Sequence, residues 1–194
     1  MFIQPEILNV PNCSGLSLVS ADWVASSAFL AYYNTLLEES VMMGNVPGDG
    51  PTNKYEASGY LKALVNSATV LSAFCLYEHR VIGRVDLILH EHIMAQHRAT
   101  VSVAVLRAYQ GQGIATAMLQ RIMEIARKSV KVSQFELTVY TNNQTALHLY
   151  DKLGFRIVGL LPNSAHTPDG EVLDEYIMVR PPDEVGGGYN VAGQ

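Results

Sequence analysis

The chain has 194 residues, the length of about one domain, which buries roughly 70% of its unfolded surface. Its 48% hydrophobic and 16% charged residues are a globular composition and exclude a disordered chain. A formal net charge of −5, from 13 Lys plus Arg against 18 Asp plus Glu, excludes a non-specific nucleic-acid binder.

Residues 1–14 read as a leader without a basic n-region and apolar run, so not as a secretory signal. Asn12-Cys13-Ser14 matches a glycosylation sequon, which carries no meaning without secretion. Residues 15–20 read as a short strand. Ser20 or Asp22 is placed to cap a helix over about 22–40, where Trp23, Phe29, Leu30, Tyr33, Leu36 and Leu37 recur at three- and four-residue spacing. Gly44 to Pro51 is a breaker cluster, and a second helix over about 53–67 follows, burying Leu61, Leu64 and Val65. The period then changes. Thr69–Tyr77 and Arg80–Leu89 are rich in strand formers, and Glu78-His79 between them reads as a hairpin. Arg98–Leu106 is a third strand of this run, Thr100, Ser102 and Ala104 alternating with Val101, Val103 and Val105.

Helix returns at about 113–129. Ile114, Met118, Leu119, Ile122, Ile125 and Ala126 form its apolar face, and the basic end suits the macrodipole. Phe135–Tyr140 is a strand, and 143–153 a helix stopped by Gly154 at a left-handed C-cap position. Phe155–Leu161 and Val172–Val179 are strands, separated by a polar turn over 162–171. Residues 181–194, with two prolines and Gly186-Gly187-Gly188, read as a flexible tail. The order predicts one domain over 1–180. Its fold class is mixed α/β, with a mostly antiparallel sheet of six to seven strands and helices on both faces.

Two cysteines, Cys13 and Cys75, make no disulfide framework and have no zinc spacing, which points to a reducing, cytoplasmic compartment. No apolar stretch approaches the ~20 residues that span a bilayer, so no membrane partner is expected. His90-Glu91-His92, with His97 nearby, is not the H-E-x-x-H zinc motif, and no metal is expected. His148 reads as a polar helix position.

The chemistry-bearing stretch is Val103-Ala104-Val105 followed by Gln110-Gly111-Gln112-Gly113-Ile114-Ala115. A strand turns into a helix whose first residues are small. The first four helix amides have no internal partner, and the macrodipole adds about half a positive charge there. Gly111, Gly113 and Ala115 let a phosphate approach the backbone without any charged side chain. It is neither G-x-G-x-x-G nor a Walker loop, and the spacing alone also fits an ordinary tight turn.

Asn143-Gln144-Thr145-Ala146-Leu147-His148-Leu149-Tyr150-Asp151-Lys152-Leu153-Gly154-Phe155 decides between the two. With the first stretch, it resembles the GNAT family of acetyl-CoA-dependent N-acetyltransferases. Gln110, Gly113 and Ala115 match that family's Q/R-x-x-G-x-G/A. Asn143, Ala146, Leu149, Tyr150, Lys152, Gly154 and Phe155 match N-x-x-A-x-x-L-Y-x-K-x-G-F. The motifs cover about 103–155, and the element order extends the likeness over roughly 15–180. The resemblance implies that the strand carrying Val103, Ala104 and Val105 splays from the next one and pairs with the pantetheine arm. It implies that Gln110, Gly111, Gln112, Gly113, Ile114 and Ala115 hold the pyrophosphate, that Asn143 binds near the pantetheine, and that Tyr150 faces the sulfur. A tyrosine at this helical spacing is otherwise a core aromatic, and Asn143 otherwise an N-cap.

The implied activity is acetyl transfer from acetyl-CoA, as cosubstrate, to a primary amine in a ternary complex. Tyr150 is placed to protonate the leaving thiolate, since a thiol has a pKa of about 8.5 and a tyrosine about 10. The N–H of Val105 is placed to stabilise the oxyanion. At pH 7 an alkyl amine is only ~0.04% neutral and an α-amine ~10%, so the former needs a base more urgently. Relatives that acetylate ribosomal-protein termini carry Glu where this chain has Thr138. Glu136, two residues earlier on the same face, is the candidate base, beside a water chain. His166, Asp169 and Glu171 border the acceptor side by this likeness, and Glu38 and Glu39 are placed as possible amine recognisers. The preferred acceptor is a small-molecule amine. The alternatives are a protein amine and a non-catalytic acyl-CoA sensor. Homodimers are common among similar proteins.

Overall fold

The computed structural model describes residues 3–11, 13–39, 50–167 and 169–182. The breaker cluster over 44–49, Asn12 of the sequon and the tail over 183–194 lie outside the described residues. The elements are β1 (Glu6–Ile7), β2 (Leu16–Ser20), α1 (Ser26–Glu39), α2 (Lys54–Asn66), β3 (Val70–Tyr77), β4 (Arg80–Leu89), β5 (Arg98–Val105), α3 (Ile114–Val130), β6 (Gln134–Tyr140), α4 (Gln144–Lys152), β7 (Arg156–His166) and β8 (Val172–Arg180). The strands form one eight-stranded sheet in the order β1-β2-β3-β4-β5-β6-β8-β7. All neighbours are antiparallel except β5 and β6. Among the described residues no helix is long and apolar enough to cross a membrane.

The period-two alternation sends side chains to two cores. On one face Leu71, Ala73, Cys75, Val85, Leu87, Val101 and Phe135 meet α3 and α4. On the other Phe74, Val81 and Ala104 meet Phe29, Tyr32 and Leu36 of α1 and Ala57 and Leu61 of α2. α1 and α2 cover β3 and β4. Further along this second face Ser102 and Thr138 are exposed, and Ile177 is 37% exposed.

The eighth strand is β1, which the sequence does not announce. Residues 3–11 pack on the sheet, burying Ile3, Leu8 and Val10. Glu6 makes a bidentate pair with Arg121 of α3, at 2.6 and 2.7 Å. Ser20 caps no long helix. Its hydroxyl donates to the Ile3 carbonyl and contacts Asp22, and a single 3-10 turn, Ala21–Trp23, precedes α1. Trp23 is therefore 56% exposed rather than part of the apolar stripe. Val10 and Leu8 have no periodic partner in sequence, so only the folded sheet edge recruits them.

Candidate functional site

β5 and β6 run parallel but pair only at Arg98↔Gln134, Ala99↔Phe135 and Thr100↔Glu136. β5 meanwhile stays paired with β4 through Val105. From Val101 onward, β5 and β6 diverge, leaving a wedge that opens toward their C-terminal ends. The Leu106 N–H donates to Ile82 on the β4 side. Alternation along the strand therefore turns the backbone of Val101, Val103 and Val105 toward the wedge. The Val105 carbonyl confirms that parity, since it accepts from Gln110 Nε2 at 2.8 Å.

Both helices that follow these strands begin at the open end of the wedge. The turn into α3 runs through a 3-10 turn, Arg107–Tyr109, then Gly111 at φ 74° and Gly113 at φ 87°. Non-glycine residues pay about 1–2 kcal/mol per left-handed position, so the turn requires glycine at both. Gly113 is the N-cap of α3 and gives no side-chain cap bond. Among the described residues the amides of Gly111 through Thr116 have no hydrogen-bond acceptor, the first helical bond being Ala117 N–H to Gly113 O at 3.1 Å. Glycine in place of a capping side chain costs only a few tenths of a kcal/mol. Burial of Ile114, Met118, Leu119, Ile122, Met123 and Ala126 outweighs it, at about 1.5–3 kcal/mol for each large side chain. Packing thus holds the helix start in place and leaves its amides available for an anion.

Glu39, at the end of α1, clamps the same turn. Its carboxylate accepts from the Arg107 N–H at 2.7 Å, and its carbonyl accepts from Arg107 Nη2 at 2.7 Å. Glu39 thus braces the cradle, while Glu38 is exposed on the surface of α1.

Asn143 caps α4, its Oδ1 accepting from Ala146 N–H at 3.1 Å. Tyr150 is 7% exposed, with its ring edge-on to Phe155 at 5.8 Å. Burial pushes its phenol up to about 12. Among the described residues its hydroxyl has no hydrogen-bond partner. Gly154, at φ 83°, ends the helix, and Phe155 N–H bonds back to Tyr150 O at 3.0 Å.

Glu136 stands at the closed end of the wedge, opposite Thr100. Arg98 grips it with both Nε and Nη2, the latter at 2.7 Å, and His90 Nε2 lies 3.9 Å away. The Arg98 hydrogen bond holds the carboxyl below the usual carboxylate range. A carboxylate so held is a weak base at neutral pH. Thr138 is exposed on the same face.

His92 caps the 3-10 turn Ile93–Ala95, and among the described residues no three His, Cys, Asp or Glu side chains form a metal-holding group. His148 is exposed on α4. His166 lies at the end of β7 rather than in a loop, because that strand runs on through Pro162 to His166. Its Nε2 sits 2.6 Å from Asn163 Oδ1. A bulge between Leu161 and Ala165 absorbs the extra residues.

A sheet split beside two helix N-termini, one with a row of unbonded amides, defines an α/β protein with a wedge and free amide donors at one end of its sheet. The chain belongs to the acetyltransferase (GNAT) family, whose family model matches residues 39–155. It is similar to the L-amino acid N-acetyltransferase AaaT of Escherichia coli (strain K12), with 29% identity over 52% of this chain and 61% of that one. It is also similar to an N-alpha-acetyltransferase of Sulfurisphaera tokodaii, with 40% identity over 42% of this chain and 46% of that one. The matches thus span less than two thirds of these relatives. A solved GNAT acetyltransferase from Streptococcus pneumoniae shares the fold, with TM-score 0.74, 23% identity, and coverage of 86% of this chain and 99% of that one. So does yncA from Salmonella typhimurium with its cofactor acetyl-CoA, at TM-score 0.72, 19% identity, and 90% and 98% coverage.

Proposed function

We propose that the protein transfers an acetyl group from acetyl-CoA to the primary amine of a small metabolite, by direct attack in a ternary complex. The observation that carries this reading is the wedge between β5 and β6, which ends at the acceptor-free amides of Gly111 to Thr116. Those residues fit the cosubstrate. The amides and the α3 dipole take the diphosphate. The backbone of Val103 and Val105 pairs with the pantetheine amides, and Asn143 borders that arm through Nδ2.

Acetyl-CoA supplies the activated acyl group. The Val105 N–H faces the place where negative charge develops on the acyl oxygen and stabilises it there. As the N–C bond forms and the C–S bond breaks, Tyr150 gives its proton to the departing sulfur. The proton released by the amine passes to water. Glu136 is ion-paired with Arg98 and receives no step.

The test is thiol release from acetyl-CoA against a library of amines. Release should depend on the acceptor; tight binding without release would support an acyl-CoA sensor and overturn the reading. With a phenol at about 12, Tyr150 stays protonated through the working range. The rate should therefore climb with pH toward the amine's own pKa, with no descending limb below about pH 10. Glu136→Gln should keep this profile and stay within about threefold of the parent rate. A lost ascending limb would restore Glu136 as the base.

The N-alpha-acetyltransferase likeness favours a second reading, a peptide α-amine as acceptor. Thr138, in place of the glutamate common in such relatives, weighs against it. A cytoplasmic location belongs to the same proposal, carried by the two free cysteines. So does a homodimer. β7 is the outer strand of the sheet, and it exposes Ile157, Val158, Leu160 and Leu161 at 53, 62, 53 and 47%, an edge that calls for cover. Sedimentation velocity should give about twice the 21.2 kDa chain mass, and Leu160→Glu should return it to the monomer. A monomeric parent chain would exclude the dimer.

A further inference from the structure

A polar network lies one strand inward from the wedge, at the border between the helix-covered and open parts of the second sheet face. Arg84 and Asp86 project from β4 on this face, opposite Ala104 and Ser102 of β5. Arg84 Nε donates to Asp86 Oδ1 at 2.9 Å, and Nη1 donates to the Tyr60 hydroxyl at 2.9 Å. The guanidinium lies 5.3 Å from the Tyr60 ring centroid and 5.7 Å from that of Phe74. Ser72 donates to the same Asp86 oxygen. The side chains of Arg84 and Asp86 are only 14% and 18% exposed.

The hydrogen-bond count leaves two atoms over. Among the described residues Arg84 Nη2 and Asp86 Oδ2 have no protein partner, yet neither is among the fully buried unpartnered atoms. Both therefore reach solvent from an otherwise fixed frame. A rigid donor of positive charge stands beside a rigid acceptor of negative charge, and the pair is neutral overall. Adjacent strands are about 4.8 Å apart, so the pair is one strand width from the backbone that faces the wedge. Exposed Ser102 lies between them on the open face.

Resting on the acetyl-transfer reading above, we infer that Arg84 and Asp86 form the acceptor subsite and select the zwitterion of a free α-amino acid. Arg84 Nη2 takes the carboxylate, because a guanidinium already bonded at Nε and Nη1 has its orientation fixed and loses little entropy on binding. Asp86 Oδ2 takes the ammonium and sets its nitrogen beside Ser102, next to the wedge, where the ammonium gives one proton to water before the neutral amine attacks. A peptide N-terminus carries no α-carboxylate and leaves Nη2 unanswered. A polyamine offers two cations to a site with a single open carboxylate oxygen.

The test is calorimetric titration of the protein saturated with CoA, using the proteinogenic L-amino acids singly and each one's α-amide. The α-amide keeps the amine and mimics a peptide terminus. At least one amino acid should bind about tenfold or more tighter than its own amide, the value of a charge-assisted bond. Arg84→Lys should bring that ratio to about two or less, with CoA affinity within about twofold. A purely structural Arg84 would shift the melting temperature in this variant but leave the ratio intact. Equal binding of acid and amide by the parent protein overturns the inference, as does an absence of amino-acid binding while CoA still binds. Both results need no variant. Failure of CoA itself to bind would instead overturn the acetyl-CoA reading on which this one rests.

Discussion

Tyr150→Phe is expected to lower kcat by about a hundredfold or more, the typical contribution of a positioned general acid, while the Kd for acetyl-CoA changes by less than about threefold. The packing gives the reason. The ring is 7% exposed and rests against Phe155, and phenylalanine reproduces all of that contact. The hydroxyl bonds to no described residue, so its removal leaves no protein group unsatisfied. Taking an unpartnered hydroxyl out of a mostly buried site is neutral or stabilising. The melting temperature should therefore hold or rise while turnover falls. Stopped-flow thiol release and a thermal melt on one preparation decide it. An unchanged kcat would remove Tyr150 from the chemistry and leave it a core aromatic.

Gly113→Val is expected to weaken acetyl-CoA binding by about tenfold or more, and to do so through the diphosphate. The residue sits at φ 87° and starts α3. A Cβ there would touch Val10 at 3.7 Å, an ordinary contact. The cost is therefore conformational, about 1–2 kcal/mol or more for a β-branched side chain. It is relieved by turning the amides away from the ligand. S-acetylpantetheine lacks the diphosphate, so its affinity should fall by less than about threefold. Comparing the two thioesters by calorimetry separates cradle damage from general unfolding. Equal weakening of both would show that the turn does not hold the diphosphate.

The alternation in β3 to β6 and the 3.6-residue stripe of α3 were legible, because each reports burial of one face and burial is what hydrophobic side chains record. The turn glycines and the Asn143 to Phe155 run were legible as well, since left-handed backbone and helix caps demand particular residues. Three features were not. Residues 3–11 carry no period, yet they pack because β2 offers an open edge and Arg121 a partner for Glu6. Ser20 looked like a helix cap but bonds to Ile3, seventeen residues away in sequence. Arg84 and Asp86 lie in a run read only as the strand Arg80–Leu89, and only α2, bringing Tyr60 over them, fixes them as a frame.

Glu136 shows the same division at the site. Its face and its spacing from Asn143 are in the sequence; the Arg98 that neutralises it lies thirty-eight residues away and arrives only when β5 and β6 pair. Local covalent geometry and side-chain periodicity act within a few residues, so the chain order alone fixed the types of the elements from β2 onward, apart from the 3-10 turn before α1, together with the cradle glycines and the family. Register, the three-pair limit of the β5–β6 ladder and the partners of each charge depend on segments far apart in the chain. Closure of the sheet decided those, because only then do distant charges come within hydrogen-bond reach.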